Sequence, residues 1–176
     1  MKKTKRLALC AMLLSLALVL SYIERFFPLQ MLIPLPGMKL GLANIVTLVT
    51  LCLLGGRSAM LVLVLRCCLG SLFSGSVSGL MFSLTGGILA MLTMLLARRV
   101  PFLSVYGVSI LGAAAHNFGQ ICMAMILMQS MYISAYLPYL LIVSLFTGFG
   151  TGVCSAGVLR MLEGERRKDV CKGALF

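Results

Sequence analysis

The sequence predicts an all-α integral membrane protein with six transmembrane helices and both termini in the cytoplasm. Of its 176 residues, 61% are hydrophobic and only 11% are charged, whereas a soluble domain averages nearer half apolar and about a quarter charged. The mean hydropathy is +1.09. The apolar residues form six segments, and short breaks with Gly, Pro or Arg separate them. This composition excludes a soluble enzyme with a large core.

We expect spans at about 7–23, 40–54, 58–73, 80–97, 107–128 and 139–162. Together they form a single six-helix transmembrane domain, residues 1–162, and a basic cytoplasmic tail follows at 163–176. The N-terminus is basic and then apolar, like a signal peptide, but it lacks an Ala-x-Ala-like cleavage site before polar sequence. We therefore interpret it as a retained first helix.

The positive charges predict the orientation. The net charge is +11, which in a soluble protein would indicate nucleic-acid binding. Here twelve of the 15 Lys and Arg residues fall at the N-terminus, in the second and fourth breaks, and at the C-terminal end. Clusters beside membrane spans mark the cytoplasmic side, so both ends are predicted to lie inside and no nucleic-acid partner is expected.

The first span carries the small residues Ala8, Ala11 and Ser15 at roughly helical spacing. Small residues let another helix approach closely. Two interpretations follow: packing inside the bundle, which we favour, or a docking face for a partner protein.

The connection that follows the first span is apolar and rich in Pro and Gly, with Pro34, Pro36 and Gly37 close together. These residues forbid a continuous helix. Lys39 and Asn44 lie where this connection meets the second span. We expect an external lid here and a ligand site beneath it.

Arg66 is the most informative residue because it lies near the middle of the third span. A cation at this depth costs several kcal/mol unless it has a partner. No acidic residue occurs between Arg25 and Leu162, and Glu24 reaches Arg66 only if the first and third spans pack together. Backbone carbonyls, amides, water or an external anion remain the alternatives.

The fifth span carries His116, Asn117 and Gln120, whose spacing predicts one polar patch on a helix. Such a patch faces either a ligand cavity or the polar groups of another helix. In the sixth span Gly148 and Gly152, continued by Ala156, predict a helix-packing face.

Several chemistries are absent from the sequence. It has no phosphate-binding loop of the Gly-x-x-x-x-Gly-Lys-Ser/Thr type and no paired aspartates that could hold Mg²⁺ on a diphosphate. We predict no catalytic residues, no metal ligands and no cofactor. Binding and movement of a small, polar or anionic ligand are favoured over covalent chemistry, with candidate ligand residues Lys39, Asn44, Arg66, His116, Asn117 and Gln120.

The stretch from Pro34 to Leu48 resembles the signature of a bacterial membrane family known both as heptaprenyl diphosphate synthase component I and as Gx transporter. Four further motifs fit this family, so the resemblance covers nearly the whole chain: Leu65-Arg66, Thr85-Gly86-Gly87, His116-Asn117-Phe-Gly-Gln120 and Thr151-Gly152. The family in turn is similar to the substrate-binding S-components of energy-coupling-factor transporters. That similarity implies a six-helix, S-component-like bundle in the bacterial cytoplasmic membrane.

The resemblance implies two functions. An S-component binds a small molecule near the outer face, while a transmembrane partner and two ATPases supply the energy. Its partner-docking pattern, Ala-x-x-x-Ala, is absent here, because Met12 follows Ala8 and Ser15 follows Ala11 at that spacing. The synthase name instead implies a membrane accessory subunit of isoprenoid synthesis beside a separate catalytic chain. A purely structural scaffold would have no pocket at Asn44, Arg66 and His116.

Overall fold

The computed structural model describes residues 3–26 and 41–163, and within these ranges every regular element is helical. This confirms the predicted all-α membrane bundle. Short 3₁₀ turns lie at Glu24–Phe26 and Met131–Tyr136. The six α-helices are α1 Lys3–Ile23, α2 Asn44–Leu54, α3 Gly56–Ser74, α4 Val77–Ala97, α5 Val105–Met128 and α6 Leu137–Glu163.

Five of these helices are long and apolar enough to cross a membrane, and α2 is the exception. Its 11 residues correspond to a length of about 16 Å, against a hydrocarbon core of about 30 Å. The second span was predicted at 40–54, but the helix begins at Asn44 rather than at residue 40. The predicted lid at residues 34–40, Lys39 included, and the tail at 164–176 lie outside the described residues.

Two predicted loops are shorter than expected. α4 begins at Val77, because Ser76 caps it by accepting a hydrogen bond from Gly79 N at 3.0 Å. α6 begins at Leu137, because a proline such as Pro138 is tolerated in the first turn of a helix. Both corrections concern helix starts. Each start depends on one residue, the capping Ser76 in α4 and Pro138 in α6.

α4, α5 and α6 form the most extensive packing of the bundle. A Cβ on Gly148 would lie 2.6 Å from Ile110 Cα, and one on Gly152 would lie 3.1 Å from Tyr106 Cα. The predicted helix-packing face of α6 is therefore confirmed, and its partner is α5. Ala156 continues this face and is buried.

α1 lies at the periphery of the bundle and packs against α2 and α3. The favoured prediction for Ala8, Ala11 and Ser15, packing inside the bundle, is wrong, because all three are exposed. Leu13 and Ala17 point inward instead. The three small residues do lie on one helix, but their spacing alone does not say whether that face points into the bundle.

One end of the bundle, called the basic end below, carries the predicted cytoplasmic cations at the start of α1, between α2 and α3, and after α4. Arg98 donates to Leu51 O at 2.7 Å, and Arg6 donates to Leu54 O at 3.2 Å and to Ser58 Oγ at 2.6 Å. The last carbonyls of a helix have no partner within that helix. The two arginines supply such partners, and they join the start of α1 and the end of α4 to the end of α2.

Candidate functional site

The predicted polar residues lie at the middle of the bundle. Because an α-helix rises by about 1.5 Å per residue, the depth of each residue follows from its place in its helix. Arg66 is about 15 Å from the start of α3, and His116 is about 16 Å from the start of α5. Both starts are at the basic end, where α2 ends, so its first residue, Asn44, is also about 15 Å away. A depth of about 15 Å is half the thickness of a hydrocarbon core of about 30 Å.

A cavity extends from this depth away from the basic end, between α1, α3, α4, α5 and the turn before α2. Its volume is about 20 Å³, which is close to what one ordered water requires. Its walls combine charged, polar and small residues. They are Ser21, Glu24, Gly41, Arg66, Cys67, Gly70, Ser83 and His116.

Arg66 is 5% exposed and lines this cavity. Within the described ranges, it makes no hydrogen bond and no ion pair. α1 and α3 do pack together, so the condition for Glu24 to approach Arg66 is met. Glu24 lines the same cavity at 5% exposure. The cavity therefore contains both a buried cation and a buried acid. The sequence alone did not determine whether Glu24 lies near Arg66.

Glu24 joins the end of α1 to the start of α2, because its Oε1 accepts a hydrogen bond from Gly41 N. Gly41 has a φ of +83°, a conformation that disfavours side chains other than glycine. The turn continues with Asn44 N donating to Gly41 O at 2.8 Å. A single acidic side chain thus fixes the point at which α2 begins inside the bundle.

The ring of His116 lies between two glycines. A Cβ on Gly41 would lie 3.1 Å from His116 Cδ2, and one on Gly86 would lie 2.9 Å from His116 Nδ1. A Cβ on Gly119 would lie 2.9 Å from Gly86 Cα, so the α4 and α5 backbones contact each other here. The motifs Thr85-Gly86-Gly87 and His116-Asn117-Phe-Gly-Gln120 are therefore two sides of one helix contact.

Gln120 is completely buried, and its Nε2 lies 3.0 Å from His116 Nε2. Either side chain can be the donor in this contact, depending on the histidine tautomer and the amide orientation. Among the described residues, Gln120 Oε1 and Asn44 Oδ1 are buried without a hydrogen-bond partner. Buried acceptors of this kind are uncommon and call for a water or a ligand.

Not every predicted ligand residue faces the cavity. Asn117 donates from Nδ2 to Leu140 O at 3.0 Å, so it holds α5 to α6. Thr47 and Thr50, which share a face with Asn44, donate to carbonyls of their own chain, Ala43 O and Val46 O. Arg66 and His116 line the cavity. Asn44 lies beside Gly41 and Gln120 contacts His116, but neither lines the cavity, and Asn117 is turned toward α6.

Glu24 was considered only as a partner of Arg66, and five small cavity residues escaped the sequence analysis as ligand candidates: Ser21, Gly41, Cys67, Gly70 and Ser83. Small and weakly polar residues are common in membrane helices, so their identity gives little signal. A glycine at positive φ, such as Gly41, is visible only once the turn is known. Within the described ranges, no three His, Cys, Asp or Glu side chains gather into a metal site.

The family model described as "Heptaprenyl diphosphate synthase component I" matches residues 13–158. This range includes every described residue of the cavity and all of α2 to α5. No curated protein matches the chain, and no solved structure matches it.

Proposed function

Because the chain belongs to the heptaprenyl diphosphate synthase component I family, we propose that it is a non-catalytic membrane subunit that binds a small ligand, one small group of which enters the Arg66 cavity. The observation that carries this proposal is Arg66 itself. A buried guanidinium that makes no hydrogen bond or ion pair to any described residue is costly at mid-membrane depth. An anionic group of a ligand would offset that cost. Asn44, His116 and Gln120 would orient the ligand by hydrogen bonds, and Lys39 would add positive potential.

The first setting for such a subunit is the one that the family description names. Here the chain would be the membrane accessory subunit of a heptaprenyl diphosphate synthase. A separate chain with paired aspartates would hold Mg²⁺ and the diphosphate, since this sequence has no such pair. The lipid-embedded helices would guide the growing prenyl chain. The family match supports this setting more directly than it supports transport.

The second setting is an uptake transporter in the bacterial cytoplasmic membrane. The specific observation that favours it is the place of the cavity, between the midplane and the end opposite the basic end. If the basic end faces the cytoplasm, as the charge distribution predicts, the ligand would enter from outside. An energy-coupling transmembrane protein and ATPases would then supply the energy, because this chain has no phosphate-binding loop of its own.

Native mass spectrometry of the detergent-purified protein, expressed with its genomic neighbours, separates the two settings. A soluble metabolite together with ATPases supports transport, whereas a bound chain rich in aspartate pairs supports the synthase setting. Arg66→Met should abolish ligand-induced thermal stabilisation. Arg57→Met is the matched control, because Arg57 is an exposed cation on the same helix. Unchanged stabilisation in Arg66→Met would exclude the binding role.

A further inference from the structure

The basic end of the bundle has a cationic corner, where the ends of α1, α2, α3 and α4 meet around Arg57. We propose that this corner binds one anionic phospholipid, with the phosphate of the headgroup at Arg57 and an acyl chain along the exposed face of α3. The site is separate from the Arg66 cavity, which lies about 14 Å deeper along the same helix. The proposal therefore does not depend on the ligand-binding function.

Contacts among the described residues bring the helix ends together. Arg6 of α1 donates to Ser58 Oγ at 2.6 Å, so the start of α1 lies against the first turn of α3. A Cβ on Gly56 would lie 3.0 Å from Leu95 Cδ2, so the last turns of α4 lie against the same turn of α3. Successive helix residues are rotated by about 100°, and the exposed Arg57 therefore projects between these two contacts.

Two further guanidiniums of the corner are held in place by the end of α2. Arg6 donates to Leu54 O, and Arg98 donates to Leu51 O. A guanidinium has several N–H donors in a rigid fork, and Arg98 makes a single described hydrogen bond. Its other donors remain available to an anion. Because α2 already fixes both side chains, binding costs less of their conformational entropy.

The positive charge of the basic end exceeds what its surroundings neutralise. Its described cations are all exposed: Lys3, Lys5, Arg6, Arg57, Arg98, Arg99 and Arg160. None of them forms an ion pair with another described residue, and the C-terminus of α2 offers roughly half of one negative charge. A phosphate diester would offset the excess charge and accept charge-assisted hydrogen bonds from the arginines.

An apolar face continues from Arg57 toward the middle of the bundle. Leu61 and Leu65 follow Arg57 at i+4 and i+8, which places all three on one side of α3. The two leucine side chains are 54% and 39% exposed. A cation at the end of an exposed apolar face fits a molecule that joins a phosphate to an acyl chain. This favours a phospholipid over a free phosphate ion.

Native mass spectrometry of the full chain in detergent, titrated with dioleoyl phosphatidylglycerol, tests the site. We expect the chain to retain one phosphatidylglycerol in preference to dioleoyl phosphatidylcholine, which has the same acyl chains but no net charge, and to inorganic phosphate. Arg57→Gln should weaken phosphatidylglycerol binding about fivefold, the effect of one basic residue near an anionic surface. Arg57 makes no hydrogen bond to a described residue, so this change removes a charge and no described contact of the fold.

Arg160→Gln is the matched control, because it removes an exposed cation at the same end of the bundle. In the described part of the chain, α6 packs against α2 and α5 but not against α1, α3 or α4. The residues one turn deeper than Arg160 are Ala156, which is buried, and Gly157, which has no side chain. We therefore expect phosphatidylglycerol binding to Arg160→Gln to stay close to that of wild type.

Four results would overturn the proposal. Equal binding of phosphatidylcholine would show that the headgroup charge is not recognised, and equal binding of inorganic phosphate would show an anion site without a lipid. Unchanged binding in Arg57→Gln would remove the corner from the site. An equal loss in Arg160→Gln would mean that the lipid responds only to the total charge of the basic end. None of these results bears on ligand binding at Arg66.

Discussion

Two kinds of arginine occur in this bundle, and their surroundings differ. At the basic end, Arg98 and Arg6 donate to Leu51 O and Leu54 O, the last carbonyls of α2. A helix C-terminus carries a partial negative charge that attracts cations. At the midplane, Arg66 is buried beside a cavity and bonds to no described residue. The first kind holds a helix end in place, and the second is the one that we propose binds a ligand.

The largest effect expected from this difference is a gain in stability. Arg66→Met combined with Glu24→Gln, which removes both buried charges of the cavity, should stabilise the ligand-free protein by about 3 kcal/mol, within the range for replacing buried charges by neutral residues. Thermal unfolding in detergent measures it, and for a chain of this size the melting temperature should rise by several degrees. A lower melting temperature would mean that Arg66 is a structural residue like Arg98, and the difference between the two kinds of arginine would not hold.

A smaller effect is expected at the wall of the cavity. Gly86→Ala should destabilise the protein by about 2 kcal/mol, which is a typical cost of overpacking. The reason is that the added Cβ would lie 2.9 Å from both His116 O and His116 Nδ1. The matched control is Gly150→Ala on α6, where a Cβ meets nothing within 4 Å. Equal melting temperatures for the two variants would show that the residues around His116 shift to accommodate the added methyl group.

The smallest effect is expected at the basic end. Arg98→Met should cost about 1 kcal/mol, because one partly exposed, charge-assisted hydrogen bond to Leu51 O is lost. Ligand affinity should not change, since Arg98 lies about 15 Å from the cavity along the helix axes. A binding assay beside the thermal melt checks both statements. A loss of affinity would contradict the separation of the two regions.

The fold was largely predictable, because apolar runs and the breaks between them determine membrane helices. The helix starts at Val77 and Leu137 could not be predicted, since each depends on the geometry of one turn. Arg66 could be recognised as unusual from its charge alone. The sequence could not show that Glu24 lines the same cavity as Arg66, because it does not say which helices pack side by side.

Polar residues on one helix also proved to have different partners. His116 and Gln120 contact each other as their spacing predicts. Asn117, one residue along, is rotated by about 100° about the helix axis, and it bonds to α6. Helical periodicity identifies which side chains share a face, but only the packing of neighbouring helices decides which face meets the cavity.

The short α2 has a consequence for how the protein enters the membrane. α2 cannot cross a bilayer by itself, and α3 carries Arg66 at its centre, so each is a poor substrate for insertion alone. Only Gly55, with a φ of +82°, separates the two helices. We expect them to leave the translocon together as a helical hairpin, with α1 already in the lipid and ready to receive α3. Biogenesis of this protein would then depend on the order in which its segments emerge from the ribosome.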